Sequence, residues 1–176
     1  PKCLVNFLGK TLLEYQLKVF NNFKIKKICI VAGYKEKKIN NPKIIKFINQ
    51  KYKETNMVYS LFCARDILLS GKTIIVVYAD IIYEPNLLAA ILTNNADIAT
   101  VIDLEWHALW TARFEDPLED AETLRLSADG HLVEIGQVPS SLEEIEGQYI
   151  GLTKFSAAGA LAFEAVYRDI SKYVPG

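Results

Sequence analysis

Asp80 stands where the apolar run Ile74 to Val77, followed by Tyr78-Ala79, gives out onto a carboxylate. Ligands in open α/β sheets bind beyond the carboxyl ends of the strands. An aspartate leaving a strand there is well placed to hold a divalent metal and the phosphates it carries. A helix-capping or solvated aspartate is the plainer alternative. Lys2, just before Leu4-Val5, would serve a phosphate as a point charge, or would simply be a solvated lysine near the terminus. Asn56 and Ser60 lie at a helix start and one turn beyond it. The free N–H groups of such a start attract anions, and plain capping by Thr55 or Asn56 uses the same residues.

Trp106 and Trp110, the only two tryptophans, are four residues apart and close to Asp103, Glu105 and His107. Two indole faces with carboxylates nearby suit an organic cation; two indoles also suit the filling of a seam in a core. His107 has no cysteine or second histidine near it to complete a metal site. Arg113, Asp120 and Glu122 flank Pro117-Leu118, in a stretch with acids at Glu115, Asp116, Glu119, Asp120 and Glu122. That run is either a solvated acidic loop or a loop facing a ligand. In Glu146-Gly147-Gln148-Tyr149 the glycine admits a close ligand or backbone. Glu146 and Tyr149 would then face a pocket; a simple strand start is the alternative. The chain has no Ser/His/Asp nucleophile elbow, Walker A loop or GxGxxG, and His107 and His131 leave little material for histidine acid–base chemistry.

These side chains need elements to hold them. Thr11 and Glu14 have capping-box spacing, and Leu13, Leu17 and Phe20 follow at helical spacing, which predicts a helix over 11–23. Strands are expected over 26–32, 44–48, 74–77 (buried on both faces) and 96–103. Helices are expected over 55–69, capped by Thr55, and from Pro85 to Leu92. This alternation predicts an α/β fold: a Rossmann-like, mostly parallel sheet with helices on both faces. After Asp103 the pattern predicts an antiparallel excursion, with strands over 111–115, 123–127, 132–135 and 148–154. Asp129-Gly130 supplies a hairpin turn, and a helix follows over 157–167. No repeat or linker interrupts residues 1–176, which read as a single domain.

At 176 residues, 51% hydrophobic and 23% charged, the composition is that of a globular domain with a full core. A net charge of −1 lacks the basic excess of a nucleic-acid surface. Cys3, Cys29 and Cys63 cannot all pair and have no metal-ligand spacing, so buried thiols in a reducing compartment are expected. No apolar run approaches the ~18 residues of a membrane span, and nothing at the start resembles a signal peptide. A cytoplasmic protein is the expectation. The chain opens at Pro1-Lys2 without methionine and stops at Val174-Pro175-Gly176 after a helical pattern, as a fragment of a longer protein would. Oligomeric state is unreadable.

Taken in order, several segments resemble the nucleotidyltransferase family that makes NDP-sugars and CDP-alcohols. They are Pro1-Lys2-Cys3-Leu4-Val5 with Gly9-Lys10-Thr11-Leu12-Leu13-Glu14-Tyr15, then Val31-Ala32-Gly33-Tyr34, then Asn49, Tyr52 and Thr55-Asn56-Met57-Val58-Tyr59-Ser60-Leu61, then Tyr78-Ala79-Asp80. Asp103, Trp106, Trp110, Arg113, Pro117-Leu118, Asp120-Ala121-Glu122, Glu134-Ile135-Gly136 and Glu146-Gly147-Gln148-Tyr149-Ile150-Gly151-Leu152 resemble the branch of phosphocholine and aminoethylphosphonate cytidylyltransferases. The resemblance implies transfer from CTP to a small phosphorylated or phosphonylated amine or amino alcohol, giving a CDP-linked product and pyrophosphate. It implies Mg²⁺ at Asp80 and Lys2 as the second catalytic residue. It also implies substrate binding by Asn56, Ser60, Asp103, Trp106, Trp110, Arg113, Asp120, Glu146 and Tyr149. Three departures stand out. The family's G-x-G-x-R loop would precede Pro1, a late metal aspartate would follow the last residue, and Gln137 stands where many relatives carry lysine. A non-catalytic nucleotidyltransferase-like module for a ligand or partner, and a sugar-1-phosphate nucleotidyltransferase, are the alternatives. The tryptophan pair and the acidic loop weigh against the sugar.

Overall fold

The computed structural model describes residues 1–170; residues 171–176, with Val174-Pro175-Gly176, lie outside the described residues. The chain divides into two compact units, Pro1–Ala99 with Thr153–Gly176, and Thr100–Leu152.

In the first unit a 3₁₀ turn at Lys2–Leu4 leads into an antiparallel hairpin of β1 (Asn6–Phe7) and β2 (Lys10–Thr11). The predicted capping box then starts α1 (Leu12–Asn22). Thr11 Oγ1 accepts from the Glu14 N–H at 3.2 Å, and the Glu14 carboxylate accepts from the Thr11 N–H at 2.7 Å. Both bonds satisfy donors that a helix start leaves open. The strands β3 (Ile28–Ala32) and β4 (Ile44–Ile48) pair in parallel, from Ile28 opposite Ile44 to Ala32 opposite Ile48.

The helix expected over 55–69 is two helices, α2 (Met57–Phe62) and α3 (Arg65–Leu68), and its cap is Asn56 rather than Thr55. Asn56 Oδ1 accepts from the Tyr59 N–H at 3.0 Å, while the Thr55 hydroxyl donates to the Lys51 carbonyl at 2.8 Å. The break falls at Ala64, which leaves helical geometry at φ −109°, ψ 31°. Leu61, Phe62 and Leu69 pack onto the cluster of Leu68, Phe155 and Ala160. The strand β5 (Ile74–Val77) is where the apolar run put it, but its residues are half-buried rather than sealed on both faces. Pro85 opens α4 (Pro85–Thr93) at the position where its missing N–H costs nothing.

β6 (Ile98–Asp103) passes from the first unit into the second. There the strand expected over 111–115 is instead the end of a helix, α5 (Trp106–Arg113). Thr111 donates its hydroxyl to the His107 carbonyl at 2.8 Å, one turn back. Helical spacing carries Trp106 and Trp110 together onto the cluster around Ala121 and Ile145. β7 (Leu124–Leu126) and β8 (Leu132–Ile135) form the expected antiparallel hairpin, with Gly130 at φ +80° in its turn. β9 (Gln148–Phe155) returns to the first unit, and α6 (Ala157–Ile170) follows. β9 is the middle strand of a sheet ordered β5-β9-β6. In the first unit, α6 is tied to α3 by Arg65, which donates to the buried Glu164 carboxylate at 2.6 and 3.1 Å. Among the described residues no helix is long and apolar enough to cross a membrane.

Tyr83, between Asp80 and α4, is 8% exposed, and its hydroxyl is buried with no hydrogen-bond partner among the described residues. Burial pushes its phenol up to about 12. Removing an unsatisfied polar group costs nothing and relieves a desolvation penalty. A Tyr83→Phe variant should therefore unfold at an equal or higher urea midpoint, by up to about 1 kcal/mol; a clear loss of stability would show that the hydroxyl has a partner.

Candidate functional site

In the first unit, Lys2 Nζ lies 3.1 Å from Asp80 Oδ2. Their immediate neighbours explain the meeting. Cys3 is buried in a cluster with Ala32 and Ile39, and Ala79 packs against that same cluster. Two chain segments far apart in sequence are thus held side by side by apolar contacts, one presenting the residue before its packed side chain, Lys2, and the other the residue after, Asp80. Burial pushes the Cys3 thiol up, which keeps it a neutral packing group. The lysine and aspartate side chains are 84% and 35% exposed. An exposed pair of this kind contributes little to stability.

The loop carrying Asp80 has a second restraint that the sequence reading missed. Gln16 of α1 is buried, and its side-chain nitrogen donates to the carbonyls of Tyr78 at 2.7 Å and Ile81 at 2.9 Å. Nothing in a helical pattern marks a glutamine for this, although a polar residue at a position facing inward between Leu13 and Leu17 is a weak signal.

Asn56 and Ser60 are also brought together. The Ser60 hydroxyl donates to the Asn56 carbonyl at 3.2 Å. Asn49, 2% exposed, organises both: its amide donates to Thr55 Oγ1 and Ser60 Oγ, each at 3.0 Å, and its carbonyl oxygen accepts from the Lys51 N–H at 2.8 Å. The Tyr78 hydroxyl donates to the sulfur of Met57, which links the start of α2 to the Asp80 loop within this unit.

The remaining predicted residues belong to the second unit. Trp106 is 4% exposed and fills the core with Ala121 and Ile145. Its ring meets that of Trp110 edge-on, with centroids 6.0 Å apart at 75°. Trp110 is half-buried, and its Nε1 is buried without a partner among the described residues. The exposed Arg113 guanidinium lies 5.4 Å from the Trp110 ring and 5.1 Å from that of Phe114, within cation–π range. Asp103 Oδ1 accepts from the Glu105 N–H at 2.9 Å, and the Glu146 carboxylate accepts from the Leu126 N–H at 2.6 Å. Tyr149 is half-buried on β9, and Asp120 is exposed after a 3₁₀ turn at Pro117–Glu119. Gln148, which pattern alone did not single out, is buried and donates to the Glu122 carbonyl at 2.7 Å. Residues 100–152 hold twelve Asp or Glu against two Arg, although the whole chain is nearly neutral. Among the described residues no three or more His, Cys, Asp or Glu side chains gather to hold a metal by themselves.

Residues 1–134 match the MobA-like NTP transferase domain. The chain belongs to that nucleotidyltransferase family. It is 38% identical, over an aligned length of 183 residues, to CTP:phosphoglutamine cytidylyltransferase of Campylobacter jejuni, a match covering 97% of this chain and 72% of that protein. The fold of this nucleotidyltransferase is shared with the inositol-1-phosphate CTP transferase of T. maritima, at a TM-score of 0.67 and 17% identity over 94% of this chain. It is shared with CTP:phosphocholine cytidylyltransferase of Streptococcus pneumoniae at a TM-score of 0.60 and 20% identity over 92% of this chain. The chain spans 65% and 64% of those two structures. The Rossmann-like α/β architecture expected from the strand–helix alternation is therefore the architecture of the family.

Gly147 resolves in favour of close backbone packing. A Cβ there would lie 2.5 Å from Ile102 Cγ2 and 3.1 Å from the Asp103 carbonyl oxygen. Gly147→Ala should destabilise the nucleotidyltransferase by about 1–3 kcal/mol through overpacking, read as a lower denaturant midpoint; an unchanged midpoint would mean that the strand has room.

Proposed function

We propose that this chain carries the donor and acceptor sites of a cytidylyltransferase, which joins CTP to a small phosphorylated or phosphonylated amine or amino alcohol and releases pyrophosphate. The observation that carries this reading is the Lys2–Asp80 pair at 3.1 Å, formed by two residues presented from one apolar cluster. The printed activity of the 38% identical relative supports CTP as the donor. In the reaction an oxygen of the acceptor phosphate or phosphonate attacks the α-phosphorus of CTP. A new P–O bond forms, the bond to the bridging α–β oxygen breaks, and pyrophosphate leaves with that electron pair.

Such a transfer needs positioning and charge neutralisation more than covalent chemistry from the protein. A single exposed carboxylate fits Mg²⁺, which binds through one or two carboxylates together with substrate phosphates rather than in a protein cage. Asp80 would hold the ion, and the bound ion would supply neutralisation of phosphate charge. Lys2 is 84% exposed and free to move from Asp80 to a phosphate oxygen. Asn56 and Ser60, fixed by Asn49, would line the nucleotide side. Asp103, Trp110, Arg113, Asp120, Glu146 and Tyr149 would serve the acceptor, with Trp106 supporting Trp110 from behind. Three free thiols and a nucleoside triphosphate donor support a cytoplasmic setting.

One observation favours a second reading of the acceptor. The Arg113 guanidinium already lies against the Trp110 and Phe114 rings, where an ammonium head group would otherwise stack. An arginine there favours an acceptor that brings a carboxylate or amide oxygen, as the phosphoglutamine of the relative does.

In the protein as its gene encodes it, Asp80→Asn should lower Mg²⁺-dependent pyrophosphate release by about 10²–10³-fold while the circular dichroism spectrum stays unchanged. Wild-type turnover would end the proposal. With phosphocholine and phosphoglutamine offered in parallel, a carboxylate-bearing acceptor predicts that Arg113→Ala raises KM for that acceptor and leaves KM for CTP alone. A cationic acceptor predicts the rise in Trp110→Ala instead.

A further inference from the structure

We infer that Gln16 is the positioning residue for the Asp80 carboxylate, holding the aspartate loop from behind so that the side chain can face solvent in one place. The inference rests on the reading of Asp80 as the group that meets metal and phosphate. After Val77 the chain leaves β5 and has no regular structure until α4 begins at Pro85. Backbone carbonyls in such a stretch must find partners outside sheet or helix. Those of Tyr78 and Ile81, two residues before Asp80 and one after it, both find the side-chain amide of Gln16 at 2.7 and 2.9 Å. A primary amide has two N–H donors, so one side chain spends both on this loop. Gln16 is 5% exposed, so its amide is shielded from solvent. The loop is also restrained by Ala79 packing, by the exposed charge of Lys2 and by the Tyr78 hydroxyl on the Met57 sulfur, none of which holds the backbone on both sides of Asp80.

The position is demanding. Asparagine is one methylene shorter and cannot span both carbonyls from the same backbone. Leucine fills the volume but offers no donor. Glutamate at neutral pH sets a carboxylate oxygen against two carbonyl oxygens. Only its protonated form donates, and to one carbonyl at a time. Groups that hold a metal ligand in place act on affinity even though they never touch the ion.

The test uses Mn²⁺ as probe, titrated into the protein–CTP complex without acceptor and followed by electron paramagnetic resonance, so that no turnover is needed. Gln16→Leu should weaken Mn²⁺ binding by about tenfold, while CTP affinity measured in chelator stays at the wild-type value. Mn²⁺ affinity at the wild-type level in Gln16→Leu, with affinity reduced in Asp80→Asn, would overturn the positioning role alone. Wild-type affinity in both variants would remove the reading of Asp80 and this inference with it. Should Gln16→Leu fail to fold, Gln16→Glu carries the test through its pH dependence. Its Mn²⁺ affinity should rise as pH falls and the new acid becomes a donor, against the falling trend of wild type; a falling trend in Gln16→Glu would overturn the inference.

Discussion

In the first unit one buried amide, shared between two backbone carbonyls, braces the loop that carries Asp80. A carboxylate that must meet solvent cannot be fixed by burying it, so its place has to be set through the main chain on either side. Gln16 does this with directed bonds on both sides of Asp80, and Ala79 does it with packing against Cys3, Ala32 and Ile39. That same cluster seats Lys2 through its neighbour Cys3. The Lys2–Asp80 pair is therefore a surface expression of an interior arrangement, which is why it forms although an exposed ion pair has little energy of its own.

The second unit solves a different problem. It carries twelve acids and two arginines, so like-charge repulsion opposes its compact state. Its order comes from an aromatic centre, with Trp106 sealed beneath Trp110, and from polar side chains that close open backbone groups. Glu146 accepts from Leu126, and Gln148 donates to Glu122. Residues that a motif reading assigns to a ligand are thus partly engaged in holding their own loops, and Arg113 supplies a local cation to a surface otherwise dominated by carboxylates.

What was legible in the sequence was local. The capping box at Thr11 and Glu14, the apolar runs of β3, β4 and β5, the Asp129-Gly130 turn and the proline start of α4 each depend on residues a few positions apart, and each is present. The errors have physical causes as well. The run over 55–69 reads as one helix because its apolar residues keep helical spacing, and nothing in that spacing marks the departure from helical geometry at Ala64. A strand was expected over 111–115, but Trp106 and Trp110 pack from one helix onto Ala121 and Ile145, and such tertiary packing overrides local β-propensity. Among the candidate residues, Lys2 and Asp80 were picked out by type and place, and the structure sets them 3.1 Å apart. Gln16 was not, because its partners lie 62 and 65 residues away and glutamine in a helix carries no pattern.

The Thr11–Glu14 box has a reach beyond its own turn. By setting which residue begins α1, it sets the angular phase of every side chain that follows, and each residue of slippage would rotate Gln16 by about 100° around the axis. An exposed carboxylate at the helix threshold, held below the usual carboxylate range by the Thr11 backbone and hydroxyl, thereby works as an indexing pin for an interior contact it never touches. The fidelity of a solvent-facing aspartate is governed from the opposite end of a lever one helical turn long.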